Sequence, residues 1–177
     1  MPRRMITIDD EHGKSKLLED AELSFALTDP ARPGFKRFQI WMTETTPALF
    51  DSVESVDQKS QLLHPPKNGS VCHIYHLPPD EEWIGRIKES DVHHYFQSIQ
   101  AIELSLFNRN KHPYFQKSNA LEFCMILKGE VDLILDKQTI HLQQGDTVVQ
   151  KASNHAWSNR SQQEVILAIS SHAGLPS

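Results

Sequence analysis

Residues 112–159 read HPYFQKSNALEFCMILKGEVDLILDKQTIHLQQGDTVVQKASNHAWSN, and the fold is decided there. Runs of β-branched, aliphatic and aromatic residues are cut by turn punctuation at Lys128-Gly129, Asp136-Lys137 and Gln144-Gly145-Asp146. Short strands at such even spacing indicate an all-β sandwich or barrel. Leu121, Phe123, Met125 and Leu127 make one face of a strand; Glu122, Cys124 and Ile126 make the other. Val131, Leu133 and Leu135 alternate in the next, and 139–142, 147–150, 156–159 and 165–170 supply the rest. Glu122 and His155 sit on strands. A carboxylate or imidazole facing the inside of a barrel is costly unless paired or used, so these two are the first candidates for function.

Upstream, 5–8 reads as a short strand, followed by a turn at Glu11-His12-Gly13, with further short strands at 16–18 and 23–27. Residues 28–34 (TDPARPG) form a loop, because two prolines and a glycine leave no ladder to join. In 37–43 (RFQIWMT), Phe38, Ile40 and Met42 face one way, with Arg37, Gln39 and Trp41 opposite. The tryptophan on the second face predicts a strand covered on both sides. Residues 47–68 are polar and rich in Ser, Asp, Gln and Pro, a long surface loop or a lid over a site. A strand at 69–77 is closed by Pro78-Pro79; His73 and Tyr75 share one face, and Cys72, Ile74 and His76 the other. A helix follows, with Ser90 as its cap and Val92, Tyr95, Phe96 and Ile99 at i, i+3, i+4 and i+7. His93 and His94 fall toward solvent. The tail after Ser171 is expected to fray.

The 177 residues suffice for one domain with a substantial core. Residues 1–77 extend its sheets, 78–111 form a short helical connection, and 112–171 hold the core barrel. The net charge of −5 and pI near 6.0, without a basic stripe, speak against nucleic acid as a partner. No apolar run approaches the roughly 18 residues of a membrane helix. No apolar segment follows the basic start MPRRMITIDD, so a secretory signal is not expected and a cytoplasmic location is. Cys72 and Cys124 lie in apolar strands and read as buried free thiols in a reducing compartment.

The block resembles the cupin superfamily, whose motifs run G-x5-H-x-H-x3,4-E-x6-G and G-x5-P-x-G-x2-H-x3-N. Glu122, six residues and Gly129 match the end of the first; His155, three residues and Asn159 match the end of the second. Gly145 is similar to the glycine that opens the second motif, one residue closer than the pattern asks. The Pro and Gly slots before His155 hold Gln150 and Ala152, and the H-x-H slots hold Gln116 and Ser118. Further back, DPARPGF (29–35) and a strand ending in Pro78-Pro79-Asp80 resemble small bacterial and fungal cupins.

The resemblance implies a double-stranded β-helix, that is, a jelly-roll barrel with extra N-terminal strands and one or two short helices, and a homodimer formed through β-strands. It also implies a metal site at the four ligand slots, but Gln116 and Ser118 are neutral. A tight transition-metal site takes about three nitrogen or carboxylate ligands. No cofactor is therefore expected. Were Fe, Zn, Ni or Mn held, His112, Glu122 and His155 would be the donors, with His73 as a further candidate.

Without a metal, Glu122 and His155 make an acid/base couple near neutral pH. Its substrate would be a small, mostly apolar organic molecule, and its reaction of lyase or isomerase type: decarboxylation, dehydration or cyclisation. Gln116 and Ser118 would orient the substrate, His73 or Tyr75 protonate an oxyanion, and Phe115, Phe123, Met125 and Trp157 line or back the pocket. Two other readings stay open, since fold does not fix function. One is a metal-dependent cupin oxygenase or decarboxylase with an irregular site. The other is a non-catalytic small-molecule-binding cupin, in which Glu122 and His155 merely pair and hold two strands together.

Overall fold

The period-two alternation of the sequence carries through into the computed structural model, which describes residues 1–49 and 62–174. The strands are β1 (Arg3–Asp9), β2 (Ser15–Glu22), β3 (Leu27–Thr28), β4 (Lys36–Thr43), β5 (Ser70–Leu77), β6 (Ala120–Lys128), β7 (Glu130–Leu135), β8 (Thr139–Gln143), β9 (Thr147–Lys151), β10 (His155–Ser158) and β11 (Val165–Ala173). One helix, α1 (Glu89–Ser98), and single 3-10 turns at Asp80–Glu82 and Ile102–Leu104 fill the connection between β5 and β6.

Six strands form one sheet in the order β3-β4-β5-β11-β6-β9, and three form the facing sheet, β10-β7-β8. All these pairings are antiparallel. The last strand therefore lies between β5 and β6. Its pairing runs to Ala173, so His172 is not frayed as expected; 175–177 lie outside the described residues. β1 and β2 pair in a separate hairpin rather than extending the large sheet. Most of the stretch expected as a loop or lid, 50–61, also lies outside the described residues. Its end is placed, with Leu63 packed into the core.

The inward stripes of Ile126, Val131, Leu133, Val165, Leu167 and Ile169 are almost fully buried. The outer face of the large sheet is different: Phe123, Met125, Leu127 and Val149 are exposed there. Lys88 caps helix α1, its backbone N–H donating to the Asp91 carboxylate at 2.9 Å, so Ser90 is inside the helix and is not its cap. Val92, Tyr95, Phe96 and the following Ile99 are buried, while His93 and His94 are exposed.

The loop before β4 joins the barrel through a buried ion pair. Arg32 Nε donates to Asp29 Oδ2 at 2.8 Å, and the Tyr114 hydroxyl donates to the same oxygen at 2.5 Å. The Arg32 guanidinium lies 3.5 Å from the Tyr114 ring centre, 3.8 Å from Phe35 and 4.6 Å from Tyr95. Facing three rings, a desolvated cation gains about 2 kcal/mol or more, which adds to its pairing with Asp29.

Two motif glycines have physical causes. Gly129 has φ +81° between β6 and β7, and a Cβ there would meet Val165 Cγ2 at 3.1 Å. Gly145 has φ +94°, and its N–H donates to Ile126 O at 2.9 Å. The slot where the second motif has glycine keeps that left-handed backbone, yet Ala152 fills it at φ +53°. An L-residue there carries roughly 1–2 kcal/mol of strain.

Arg32→Leu is expected to destabilise the fold by roughly 3–5 kcal/mol, because it leaves Asp29 buried and uncompensated. Asp29→Asn should recover part of that loss in the double variant, as read from urea midpoints. Ala152→Gly should raise stability by about 1 kcal/mol in the same measurement.

Candidate active site

Register stacks the inward side chains of the large sheet in three rungs. In the first, Val71, Ser171, Glu122 and Gln150 stand on neighbouring strands. Glu122 is 8% exposed. Its Oε1 accepts from the Ser171 hydroxyl at 3.2 Å, and its Oε2 from Gln150 Nε2 at 3.4 Å. Among the described residues, no cationic side chain forms an ion pair with it. Gln150 occupies the proline slot of the second motif, where a proline would have no amide to offer. It also reaches Cys124 Sγ at 3.7 Å and accepts from the Ser153 hydroxyl at 3.2 Å.

The second rung holds Gln39, His73, Ile169 and Cys124. Gln39 and His73 are buried, and among the described residues neither side-chain polar atom of either has a hydrogen-bond partner. Burial, and then the Arg37 guanidinium, hold the His73 imidazole well below the usual histidine range. Burial, reinforced by Glu122, pushes the Cys124 thiol up to about 12.

The third rung holds Arg37, Tyr75, Leu167 and Ile126. Arg37 is fully buried and hydrogen-bonded to Tyr75. Burial raises the Tyr75 phenol, which therefore stays protonated. The His73 ring stands edge-on to Tyr75 at 5.9 Å. At the end of the 47–68 stretch, His64 Nε2 is buried and has no hydrogen-bond partner among the described residues. Its imidazole is lowered by burial, against the upward pull of Glu122 and Glu103.

His155 stands on β10, in the facing sheet. Its Nδ1 lies 3.0 Å from Ser153 O, and its Nε2 lies 3.4 Å from Gln116 Nε2. The Nδ1–H thus donates to Ser153 and leaves Nε2 as an acceptor for the Gln116 amide. Trp157 packs edge-on against the imidazole at 6.1 Å. Glu122 and His155 form no ion pair with each other; each is held by neutral groups on its own side of the barrel.

The other expected site residues divide. His73 and Tyr75 join Glu122 on one wall, and Gln116 and Trp157 join His155 on the other. Ser118 is buried, with its hydroxyl accepting from Ala120 N–H at 3.3 Å, so it serves a local turn. Phe123 and Met125 do not line the interior. They point outward, Phe123 against His172 at 5.3 Å, because alternation gives Glu122 and Cys124 the inner face. Phe115 packs in a separate cluster with Ile134 and Ala156. His112 is captured elsewhere: its Nε2 is 3.5 Å from Asp80 Oδ2 and its ring is edge-on to Trp83 at 5.6 Å.

Arg37, Gln39, His64, Gln150 and Ser171 were not among the expected site residues. Alternation did place Arg37 and Gln39 on one face. A bulge after Gln39 puts Trp41 opposite Cys72, so the tryptophan leaves that face.

Cupin barrels imply a metal, and the residues present do not fit one. Ser118 is engaged, Gln116 is a neutral amide, and His112 is in another cluster. Among the described residues, no three His, Cys, Asp or Glu side chains converge.

Because His73 is buried neutral, the unfolded chain takes up a proton there as pH falls below about 6.5 while the folded chain does not. Stability is then expected to fall on acidification, with a slope of up to roughly 1.4 kcal/mol per pH unit for this group. Urea midpoints between pH 7 and pH 5 should drop more for the wild type than for His73→Phe. Equal drops would show that His73 does not contribute.

Residues 109–170 match the family model described as Cupin domain. The chain is 29% identical over 167 residues to Phomopsin biosynthesis cluster protein C' of Diaporthe leptostromiformis, covering 90% of this chain and 71% of that one. The figures are the same for Phomopsin biosynthesis cluster protein D of that organism. A putative ethanolamine utilization protein q from Salmonella typhimurium LT2 superposes with a TM-score of 0.44 at 12% identity, covering 98% of this chain and 97% of the other. With Glu122, Gly129, His155 and Asn159 in their motif places on a double-stranded β-helix, residues 109–170 are a cupin domain.

Proposed function

We propose that the barrel interior takes a small organic molecule and moves a proton on it, as a lyase or isomerase does. One observation carries this reading: Glu122 is buried, yet among the described residues only the neutral groups of Ser171 and Gln150 hold it. A carboxylate kept for stability alone is normally paired with a cation when buried, as Asp29 is with Arg32. The two accepted hydrogen bonds leave lone pairs of Glu122 for a substrate.

In this reading Glu122 takes a proton from carbon beside a carbonyl, and the electron pair moves onto the carbonyl oxygen. The protonated Tyr75, one of the groups on the same wall, donates a hydrogen bond to that oxygen. The proton then returns at another carbon or at oxygen, which is isomerisation, or the electron pair expels a hydroxyl on the next carbon, which takes the proton held by Glu122 and leaves as water, which is dehydration. In decarboxylation the carbanion left by carbon dioxide collects its proton from protonated Glu122. His155 Nε2, across the barrel, serves as the second proton carrier. The polar wall of Gln39, His73 and Tyr75 favours a molecule with an apolar body and polar groups over a mostly apolar one. That the two fungal relatives are named as biosynthesis cluster proteins supports work on a small organic molecule.

Deuterium uptake at carbon beside the carbonyl of small cyclic ketones, followed by NMR in D2O, tests the chemistry. Glu122→Gln is expected to slow exchange by about 10²–10⁴-fold, His155→Ala to slow it less, and a chelator to change nothing. Full exchange in Glu122→Gln, loss with the chelator, or no exchange above unfolded protein overturns the proposal.

A further inference from the structure

Gln39 and His73 face each other across β4 and β5, in direct register. They are 4% and 0% exposed, and among the described residues four polar atoms between them have no hydrogen-bond partner: Gln39 Oε1 and Nε2, and His73 Nδ1 and Nε2. Buried polar groups are almost always satisfied, and an orphan in a native interior calls for a ligand or a water. Two orphaned side chains side by side on the inner face of the barrel make a built site.

The chemistry of the four atoms selects the occupant. A glutamine amide presents a donor and an acceptor in one plane. A neutral imidazole adds one more donor and one more acceptor. Burial and Arg37 keep His73 neutral, so the pair brings no charge of its own. A carboxylate only accepts. It would set its oxygens against Gln39 Oε1 and against the unprotonated nitrogen of His73. A primary carboxamide or a lactam presents C=O and N–H on the same edge and closes two hydrogen bonds with Gln39: N–H to Oε1, and C=O from Nε2. His73 then donates to the second lone pair of that carbonyl.

We infer that the Gln39–His73 pair is the recognition subsite of the barrel and that it binds an uncharged amide group, a primary carboxamide or a lactam, on the molecule that Glu122 acts upon. This rests on the interior being a ligand site, and it names the substrate class for that site. Gln39 and His73 are positioning residues: they hold the amide while Glu122, on β6 two strands from His73, reaches the reacting carbon.

The test uses the full chain and three probes that share a phenyl ring, benzamide, its isostere benzoate, and benzyl alcohol, with affinities read by ligand-observed NMR at pH 7.5. Benzamide is expected to bind roughly tenfold or more tightly than either other probe. Gln39→Leu should weaken benzamide roughly tenfold while leaving benzyl alcohol unchanged. It should also keep or raise Tm, because it removes an orphaned amide at similar volume. His73→Phe should weaken benzamide by a smaller factor and provides a second variant if Gln39→Leu does not fold. Benzoate or benzyl alcohol binding as well as benzamide overturns the amide assignment and leaves the barrel as a ligand site. Failure of all three to bind overturns both readings. A Gln39→Leu variant that loses Tm and keeps benzamide affinity shows a structural amide and overturns the subsite.

Discussion

A charge inside a domain of this size persists only if something in the fold compensates its lost hydration, and the Asp29–Arg32 pair is the place where the chain meets that condition most completely. One carboxylate receives Arg32, the Tyr114 hydroxyl and the Ala31 N–H, and three aromatic rings enclose the cation. The rings come from the loop before β4, from α1 and from the segment before β6. The pair thus fastens the N-terminal third and the helical connection to the barrel. With that junction fixed, β4 and β5 are held at the edge of the large sheet, and their inward residues complete the interior wall.

Glu122 differs from Asp29 in an instructive way. Both are almost fully buried, but only Asp29 has a cation. The polar residues around Glu122 are neutral in the folded state or, like Arg37, stand on another rung. Satisfying a buried carboxylate with two long hydrogen bonds costs stability relative to an ion pair, and leaving Gln39 and His73 unpartnered costs more, about 1–3 kcal/mol for each orphaned group. Such cost concentrated in one wall of the barrel supports the proposed ligand site there. The aromatic junction and the long hydrophobic stripes of β6, β7 and β11 supply the stability that offsets it.

Departures from the cupin motifs fall on both walls of the barrel. Gln150 replaces the motif proline and gives Glu122 one of its two donors. Ala152 replaces a glycine yet keeps left-handed backbone, so the turn has held its shape while its sequence changed. Gln116 and Ser118 replace the paired histidines, and only Gln116 still reaches His155. Two of the four ligand slots, those of Gln116 and Ser118, hold neutral groups, which are weak donors for a transition metal.

Much of this was legible along the chain. Alternation put Glu122, Cys124 and Ile126 on one face, His73 with Tyr75, and Arg37 with Gln39, because side-chain direction in a strand depends only on a two-residue period. Gly129 and Gly145 marked turns, because left-handed backbone favours glycine. The misses have different causes. Phe123 alternates with Glu122, so a place in the pocket conflicts with the two-residue period itself; His112 is near the site in sequence but packs with Asp80 and Trp83; and Trp41 follows a bulge that no local pattern reveals. Which strand lies beside which is set by contacts between distant segments. β11 enters between β5 and β6, and β4 closes on β5, so Gln39, His73, Glu122, Gln150 and Ser171 share one wall although 132 positions separate the first from the last. The sequence alone determined which faces are apolar and which groups can ionise; only the tertiary pairing decided which of those groups share an interior, because register across strands is settled by the packing of the whole core.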